Sequence, residues 1–283
     1  MPVLSFRQVD VFSTEPLLGN PVAVVHDADD LTDEQMAAFA RWTNLSETTF
    51  LLRPLDPAAD YRLRIFTPGG ELPFAGHPTL GSAHAWLEAG GAPAGDGIVQ
   101  ECGAGLVTLR GEDGVLAFEA PPLIRSGPVD EADLAAVATA LRLPREDLLD
   151  AAWIDNGPGW VGVLLRDAAA VLALAPDFAA FGDLKIGVVG TYADGPVAVE
   201  VRAFCPQYGV PEDPVTGSLN AGIGQWLAGT RLPAAYVAAQ GTAVGRRGRV
   251  HVTRTGDVVH VGGATRTTIT GTLDLRRDVG ADD

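Results

Sequence analysis

Two short segments place polar residues at the starts of predicted helices. Residues 76–79 read Gly-His-Pro-Thr, and residues 212–218 read Glu-Asp-Pro-Val-Thr-Gly-Ser. Free N–H groups and the dipole at a helix start bind a carboxylate well. If the chain holds two related halves, both starts could face one cleft suited to chemistry on a small acid. Taken alone, each segment is more often a capped helix than a catalytic one.

A third segment, residues 44–50, places Glu47 between a predicted helix end and a strand. The strand residues that follow Glu47 are threonine or apolar. A carboxylate there is either solvated, which is the commoner outcome, or held in a pocket that raises its pKa towards values useful for a general base. Composition does not choose between these two outcomes.

An internal repeat would bring these segments together. Turn and aromatic landmarks recur at nearly constant offsets: Gly157 follows Gly19 by 138 residues, Phe204 follows Phe66 by 138, Pro206 follows Pro68 by 138, Pro211 follows Pro73 by 138, and Trp226 follows Trp86 by 140. Glycine and proline mark turns anywhere in a chain, but the phenylalanine and tryptophan landmarks agree with them. The offsets therefore favour two copies of one structural unit.

Each copy reads as short strands around helices. In the first half, Thr32 and Gln35 form a capping-box pattern that predicts a helix ending near Trp42, and a second helix is predicted over 78–89 with Pro78 at its first position. Short strands that meet through tight turns are mostly antiparallel. We therefore expect an α+β fold with two pseudo-symmetric domains, each a curled and mostly antiparallel sheet around a central helix.

The central helix of the second half is predicted over 218–227 although it contains Gly222 and Gly224. Glycine costs about 1 kcal/mol relative to alanine inside a helix. It is tolerated where another backbone approaches closely, as it would inside a curled sheet. The chain should end with two strands, 258–261 and 267–273, that are separated by Gly-Gly.

Proline and glycine also mark the predicted domain junction. Pro-Pro at 121–122 is followed by Gly-Pro at 127–128. We expect an N-terminal domain over 1–121 and a C-terminal domain over 122–272. A final strand, about 273–283, should return to the first domain.

Composition excludes several classes of protein. With 20 basic and 36 acidic residues the net charge is −16, which argues against nucleic-acid and anionic-membrane partners. The apolar runs are too short to span a bilayer, and no signal-peptide pattern opens the chain. Cys102 and Cys205 are too few for a disulfide framework, which fits the cytoplasm. No metal-ligand pattern, Walker loop or dinucleotide fingerprint is present, so we expect neither a metal nor another cofactor.

The combined motifs closely resemble the PhzF-like family of phenazine biosynthesis. The resemblance rests on Ser-Glu-Thr at 46–48, Phe-Thr-Pro at 66–68 and the two helix-start motifs, and it covers nearly the whole chain. It implies the diaminopimelate-epimerase-like fold, with the active site between two similar domains. It also implies a homodimer.

The resemblance further assigns roles to residues. Glu47 matches the family's catalytic acid/base, and His77 and Asp213 match side chains that hold and polarise the substrate. The remaining matches bind the substrate or its carboxylate: Ser46, Gly76, Gly217 and Ser218. The implied activity is a cofactor-independent isomerisation that shifts a proton and a double bond in a small cyclic or unsaturated carboxylic acid, as in the trans-2,3-dihydro-3-hydroxyanthranilate isomerase of the phenazine pathway.

Two main alternatives stay open, a two-base epimerase and a non-catalytic binder of small acids. An epimerase needs a second acid/base on the opposite face of the substrate, and Glu47 with Asp213 could form that pair. A paired-thiol racemase is disfavoured, because Ala75 and Asp213 stand where thiols would be needed. A non-catalytic binder of small acids would have no need of Glu47, and nothing specific supports an acidic interaction protein.

Overall fold

The computed structural model describes residues 3–112 and 114–276, and it is an α+β fold built mainly from strands. The first half contains these elements in chain order: β1 (Leu4–Val11), β2 (Asn20–Val25), α1 (Asp33–Thr43), β3 (Thr48–Leu52), β4 (Tyr61–Thr67), β5 (Gly70–Leu72), α2 (Gly76–Glu88), β6 (Ile98–Cys102), β7 (Gly105–Glu112) and β8 (Val115–Glu119). The second half continues with β9 (Arg125–Pro128), α3 (Glu131–Leu141), β10 (Asp150–Asp155), β11 (Trp160–Leu164), α4 (Ala168–Leu172), β12 (Lys185–Thr191), β13 (Val199–Cys205), β14 (Val210–Asp213), α5 (Gly217–Leu227), β15 (Ala235–Gln240), β16 (Gly248–Thr255) and β17 (Val258–Leu273).

The strand pairings repeat between the two halves. In the first half β2 pairs parallel with β3 across α1, and β4 pairs parallel with β6 across α2. In the second half β11 pairs parallel with β12 across α4, and β13 pairs parallel with β15 across α5. The remaining neighbours in both halves are antiparallel. The predicted duplication and the mostly antiparallel curled sheets are therefore confirmed.

Each curled sheet surrounds one central helix. Helix α2 packs against β1, β2 and β17, and helix α5 packs against β10, β16 and β17. Close approach explains the glycines inside these helices: a Cβ on Gly81 would lie 2.4 Å from Val22 Cγ1, and one on Gly222 would lie 2.6 Å from the Ile154 carbonyl oxygen. Gly224 is equally enclosed, with Val252 Cγ1 at 2.7 Å. Packing thus outweighs the low helix propensity of glycine, as the sequence indicated.

Local signals fix the helix ends. Helix α1 begins after Thr32 with the capping box to Gln35 in place and ends at Asn44 in the left-handed conformation. Helix α2 begins at Gly76, two residues before the predicted start at Pro78. The N–H groups of the first helical turn have no partner within the helix, so the missing N–H of proline costs nothing there. Proline is therefore tolerated at the third position of α2, where Pro78 lies, as well as at the first. The N–H groups of Gly76 and His77 therefore belong to the helix start.

The end of the chain differs from the sequence prediction. One 16-residue strand, β17, replaces the two strands expected over 258–261 and 267–273. Gly262 and Gly263 do not form a turn. They allow neighbours to approach, since a Cβ on Gly262 would lie 2.6 Å from the Leu116 carbonyl oxygen and one on Gly263 would lie 2.4 Å from Phe12 Cδ1.

Strand β17 also links the halves. Its first part pairs with β16 and β8, and its second part pairs with β1 as far as Leu4 opposite Leu273. The predicted boundary at 121/122 falls between β8 and β9 and stays a prediction. Of the predicted returning segment 273–283, residues 277–283 lie outside the described part of the chain. Across the described ranges, no helix is both long and apolar enough to cross a membrane.

Candidate active site

The two central helices start against each other. Gly76 is the first residue of α2 and Gly217 is the first residue of α5. A Cβ on Gly217 would lie 3.1 Å from Gly76 Cα and 3.4 Å from the His77 backbone nitrogen. Neither helix start receives a side-chain cap from the described residues. The structure thus brings together two uncapped, positively polarised helix ends, as expected if both face one cleft.

Close contact at this point leads to a prediction. An alanine at Gly217 should push the two helix starts apart, because its methyl group meets backbone on the facing helix. We expect kcat/KM to fall about tenfold, since the facing backbone must yield by a few tenths of an ångström and misplacement of reacting groups by about 1 Å can cost about 100-fold. Gly95→Ala is the control, because a Cβ there meets nothing within 4 Å. Equal activity of the Gly217→Ala variant and the wild type would mean that this contact does not shape the site.

Glu47 immediately precedes β3, and its side chain faces His77, which lies on α2. The atoms Glu47 Oε2 and His77 Nε2 are 3.3 Å apart, and the two side chains are 16% and 5% exposed. Burial, and then repulsion from Asp213, raises the pKa of Glu47 to about 8, which the Ser46 hydroxyl partly opposes. The sequence left open whether Glu47 is solvated or enclosed, and the structure encloses it. Near neutral pH such a carboxyl can both accept and release a proton.

His77 serves as a neutral group at this position. Burial lowers its pKa to about 3, against an opposing hydrogen bond with the Pro21 backbone. The imidazole therefore stays uncharged over the whole range in which Glu47 titrates. A neutral imidazole offers one donor and one acceptor, which suits orienting a ligand rather than neutralising its charge.

Asp213, at the end of β14, has both carboxylate oxygens engaged. Asn20 Nδ2 donates to Oδ1 at 2.9 Å, and Thr216 Oγ1 donates to Oδ2 at 2.6 Å. Burial raises the pKa of Asp213 to about 6, although these two hydrogen bonds oppose the shift. Asp213 therefore ionises before Glu47, and two carboxyl groups with separated pKa values can take different roles.

Ser218 occupies the second position of α5, as His77 does in α2. Its hydroxyl oxygen accepts a hydrogen bond from Trp160 Nε1 at 3.0 Å, which leaves the hydroxyl proton free to donate. Asn156 Nδ2 donates to the Ser218 carbonyl at 2.9 Å. The oxygen Asn156 Oδ1 is buried and has no hydrogen-bond partner in the described structure. It is a further acceptor beside Ser218.

Three residues that the sequence did not mark as site residues complete the arrangement. Asn20, known from sequence only as a turn landmark, crosses from the first half to donate to Asp213 and to the Val215 carbonyl at 2.8 Å. Trp160 orients Ser218. Buried Gln240 accepts from the Thr216 backbone N–H and donates to its hydroxyl. The Gly-Asn-Pro turn at the start of β2 was the available signal for Asn20, whereas no local signal marks Trp160 or Gln240.

Glu212 belongs to the same motif but points away from the cleft. It forms a bidentate ion pair with Arg202, whose Nε donates to Glu212 Oε1 at 2.9 Å and whose Nη2 donates to Oε2 at 2.7 Å. Both side chains are buried. Arg202 also donates to the Leu174 carbonyl at 2.8 Å. Successive strand residues point to opposite faces. Glu212 thus fixes β14 to β13 while its neighbour Asp213 faces the site.

The site holds no cluster suited to a metal. Within residues 3–112 and 114–276, no three or more histidine, cysteine, aspartate or glutamate side chains form a group that could bind one. Chemically, the arrangement is suited to proton transfer at Glu47, orientation of a ligand by His77 and Ser218, and carboxylate binding at the paired helix starts.

Comparison with known proteins identifies the family of the chain. The family described as "Phenazine biosynthesis-like protein" matches residues 9–273. The chain belongs to the PhzF-like family. The crystal structure of a PhzF-family phenazine biosynthesis protein from Enterococcus faecalis has a TM-score of 0.80 to it at 25% identity, covering 97% of this chain and 100% of the other.

Curated relatives support the same assignment. The trans-2,3-dihydro-3-hydroxyanthranilate isomerase of Pseudomonas aeruginosa is 39% identical, over 86% of this PhzF-like chain and 87% of its own. "Antisense-enhancing sequence 1" of Schizosaccharomyces pombe is also 39% identical, over 94% and 97% of the two chains. The PhzF-like chain is accordingly an isomerase, as the sequence resemblance implied.

Proposed function

We propose that this PhzF-like chain shifts a proton, and with it a double bond, in a small cyclic or unsaturated carboxylic acid, without a cofactor. The observation that carries the proposal is Glu47: an enclosed carboxyl with its pKa raised to about 8, beside neutral His77 and two uncapped helix starts. By similarity to the P. aeruginosa relative, trans-2,3-dihydro-3-hydroxyanthranilate is the first substrate to test.

The proposed isomerisation rearranges the atoms and electrons of the substrate and needs no co-reactant. The Glu47 carboxylate takes a proton from one carbon, and the electron pair of that C–H bond delocalises through the adjacent double bond. The same carboxyl group then returns a proton to a second carbon of the conjugated system on the same face. The N–H groups of Gly76 and Gly217 hold the substrate carboxylate, and Ser218 and His77 orient the polar groups near the reacting carbons.

Asp213 favours isomerisation over two-base epimerisation. Both of its oxygens already accept hydrogen bonds, from Asn20 and Thr216, whereas Glu47 Oε2 has no hydrogen-bond partner in the described chain. Asp213 is therefore better placed to orient substrate than to remove a second proton. Homodimer formation and a cytoplasmic location stay predictions.

The deciding experiment follows the wild-type protein with trans-2,3-dihydro-3-hydroxyanthranilate in D₂O by proton NMR. We expect migration of the double bond with deuterium entering at one carbon. A panel of small unsaturated and amino acids is run in parallel. Inversion at one carbon without bond migration, seen by chiral chromatography, would identify the two-base epimerase, and tight binding without turnover would identify the binder.

A further inference from the structure

A cavity lined by arginines lies outside the active site. This arginine cavity has a volume of about 550 Å³ and includes Tyr192, Thr242, Arg246, Arg247 and Arg249 in its lining. Its volume is in the range of small-molecule sites. Leu18 of the first half closes one side. The cavity is therefore formed by both halves of the chain.

The arginine cavity opens on the outer face of the second sheet. In the register of the sheet, Arg249 on β16 lies opposite Ala239 on β15, and Ala239 lies opposite Glu200 on β13. The three side chains therefore share one face of the sheet. Their neighbours Val199 and Val201 point to the opposite face, into the core that contains α5. The catalytic cleft at the start of α5 and the arginine cavity are thus separated by the sheet.

Two of the arginines have no carboxylate partner. Arg246 Nη1 donates to the carbonyls of Leu17 and Gly19, and Arg249 Nη1 donates to the Gly248 carbonyl. No described carboxylate lies within ion-pair distance of either guanidinium, whereas Arg247 pairs with Glu15 at 2.6 Å. A guanidinium carries five N–H donors, so each of the two retains several. In a chain with a net charge of −16, this concentration of unpaired cations is unusual.

Nearby acids offset these charges only in part: Asp10 interacts electrostatically with Arg246, and Glu200 with Arg249. Glu200 is fully buried behind Tyr192, whose hydroxyl donates to Glu200 Oε2 at 2.7 Å, and burial raises the pKa of Glu200. Asp194 is exposed at the rim. The hydroxyl groups of Tyr192 and Thr242 add polar atoms to a lining that is positive overall.

We propose that the arginine cavity binds a small anion that carries carboxylate or phosphate groups, through the guanidinium groups of Arg246 and Arg249. Arginine recognises both groups by paired, charge-assisted hydrogen bonds. This second site does not depend on the function proposed for the cleft.

Arg249 is the residue to change, because its side chain bonds only to the adjacent Gly248 carbonyl. Arg246 is unsuitable, since it also holds the turn that carries Asn20. Calorimetry at low ionic strength should titrate inorganic phosphate and, separately, citrate into the wild type and into Arg249→Gln, Arg249→Lys and Arg110→Gln. Arg110 is exposed, forms no ion pair with the described residues, and serves as the matched control.

We expect at least one anion to bind at least tenfold more weakly to Arg249→Gln, with a smaller loss in Arg249→Lys and no change in Arg110→Gln. Binding of phosphate alone would indicate a phosphorylated ligand, and binding of citrate alone a polycarboxylate. His77→Asn, altered in the cleft, should bind the anion like the wild type. Equal affinities of the wild type and a folded Arg249→Gln variant for both anions, or binding lost only in His77→Asn, would overturn the proposal.

Discussion

Replacement of Glu47 by glutamine should lower the rate of deuterium exchange into the substrate by on the order of a thousandfold, within the range that a positioned acid/base contributes. Glutamine keeps the size and polarity of the side chain but cannot accept a proton from carbon. The enclosed Glu47 carboxyl lies 3.3 Å from His77. The neighbouring carboxyl of Asp213 is poorly placed to replace it, because both of its oxygens already accept hydrogen bonds. Proton NMR in D₂O measures the exchange directly.

Two further variants sharpen this prediction. Glu146→Gln makes the same chemical change at an exposed position in the second half of the chain. It should catalyse deuterium exchange at the wild-type rate. Glu47→Asp keeps a carboxyl group but withdraws it by one methylene, so it should retain a small part of the activity. Exchange at the wild-type rate in Glu47→Gln would exclude Glu47 as the base.

The sequence was sufficient to predict the repeat and the meeting of the two helix starts. Constant offsets between landmarks such as Phe66 and Phe204 correspond in the structure to β4 and β13, which occupy matching places in the two sheets. Helix starts are readable because glycine, proline and small polar residues occupy definite positions there. Pseudo-symmetry then places Gly76 opposite Gly217 without any knowledge of the distance between them.

Other features depend on contacts between segments far apart in the chain. Asn20 reaches Asp213 across 193 positions, and Trp160 reaches Ser218 across 58. The glycines at 262–263 look like a turn in sequence, but packing against Leu116 and Phe12 makes them part of one continuous strand. The pKa of Glu47 likewise follows from burial, which no local pattern records.

Burial of Glu47 also predicts an unusual dependence of stability on pH. A carboxyl group whose pKa is about 8 in the folded protein and 4.5 unfolded keeps its proton on folding. Between these values the folded state binds more protons, so the free energy of unfolding falls as pH rises. Asp213 acts in the same direction, but only up to about pH 6. His77, with its pKa lowered from 6.5 to about 3, acts in the opposite direction and only below pH 6.5.

The interval from pH 6.5 to 8 therefore isolates Glu47 among the three site groups. Relative to Glu47→Gln, the free energy of unfolding of the wild type should fall by roughly 1.6 kcal/mol over this interval, because the Glu47 contribution is about 1.4 kcal/mol per pH unit well below its pKa and half of that at pH 8. Urea unfolding at a series of pH values measures it, with Glu146→Gln expected to follow the wild type. In Glu47→Gln the slope should largely disappear, because glutamine has no proton to lose. That variant should consequently become more stable than the wild type towards pH 8 while being inactive. Parallel stability curves for the wild type and Glu47→Gln would show that Glu47 ionises at its ordinary pKa and is not an enclosed acid/base.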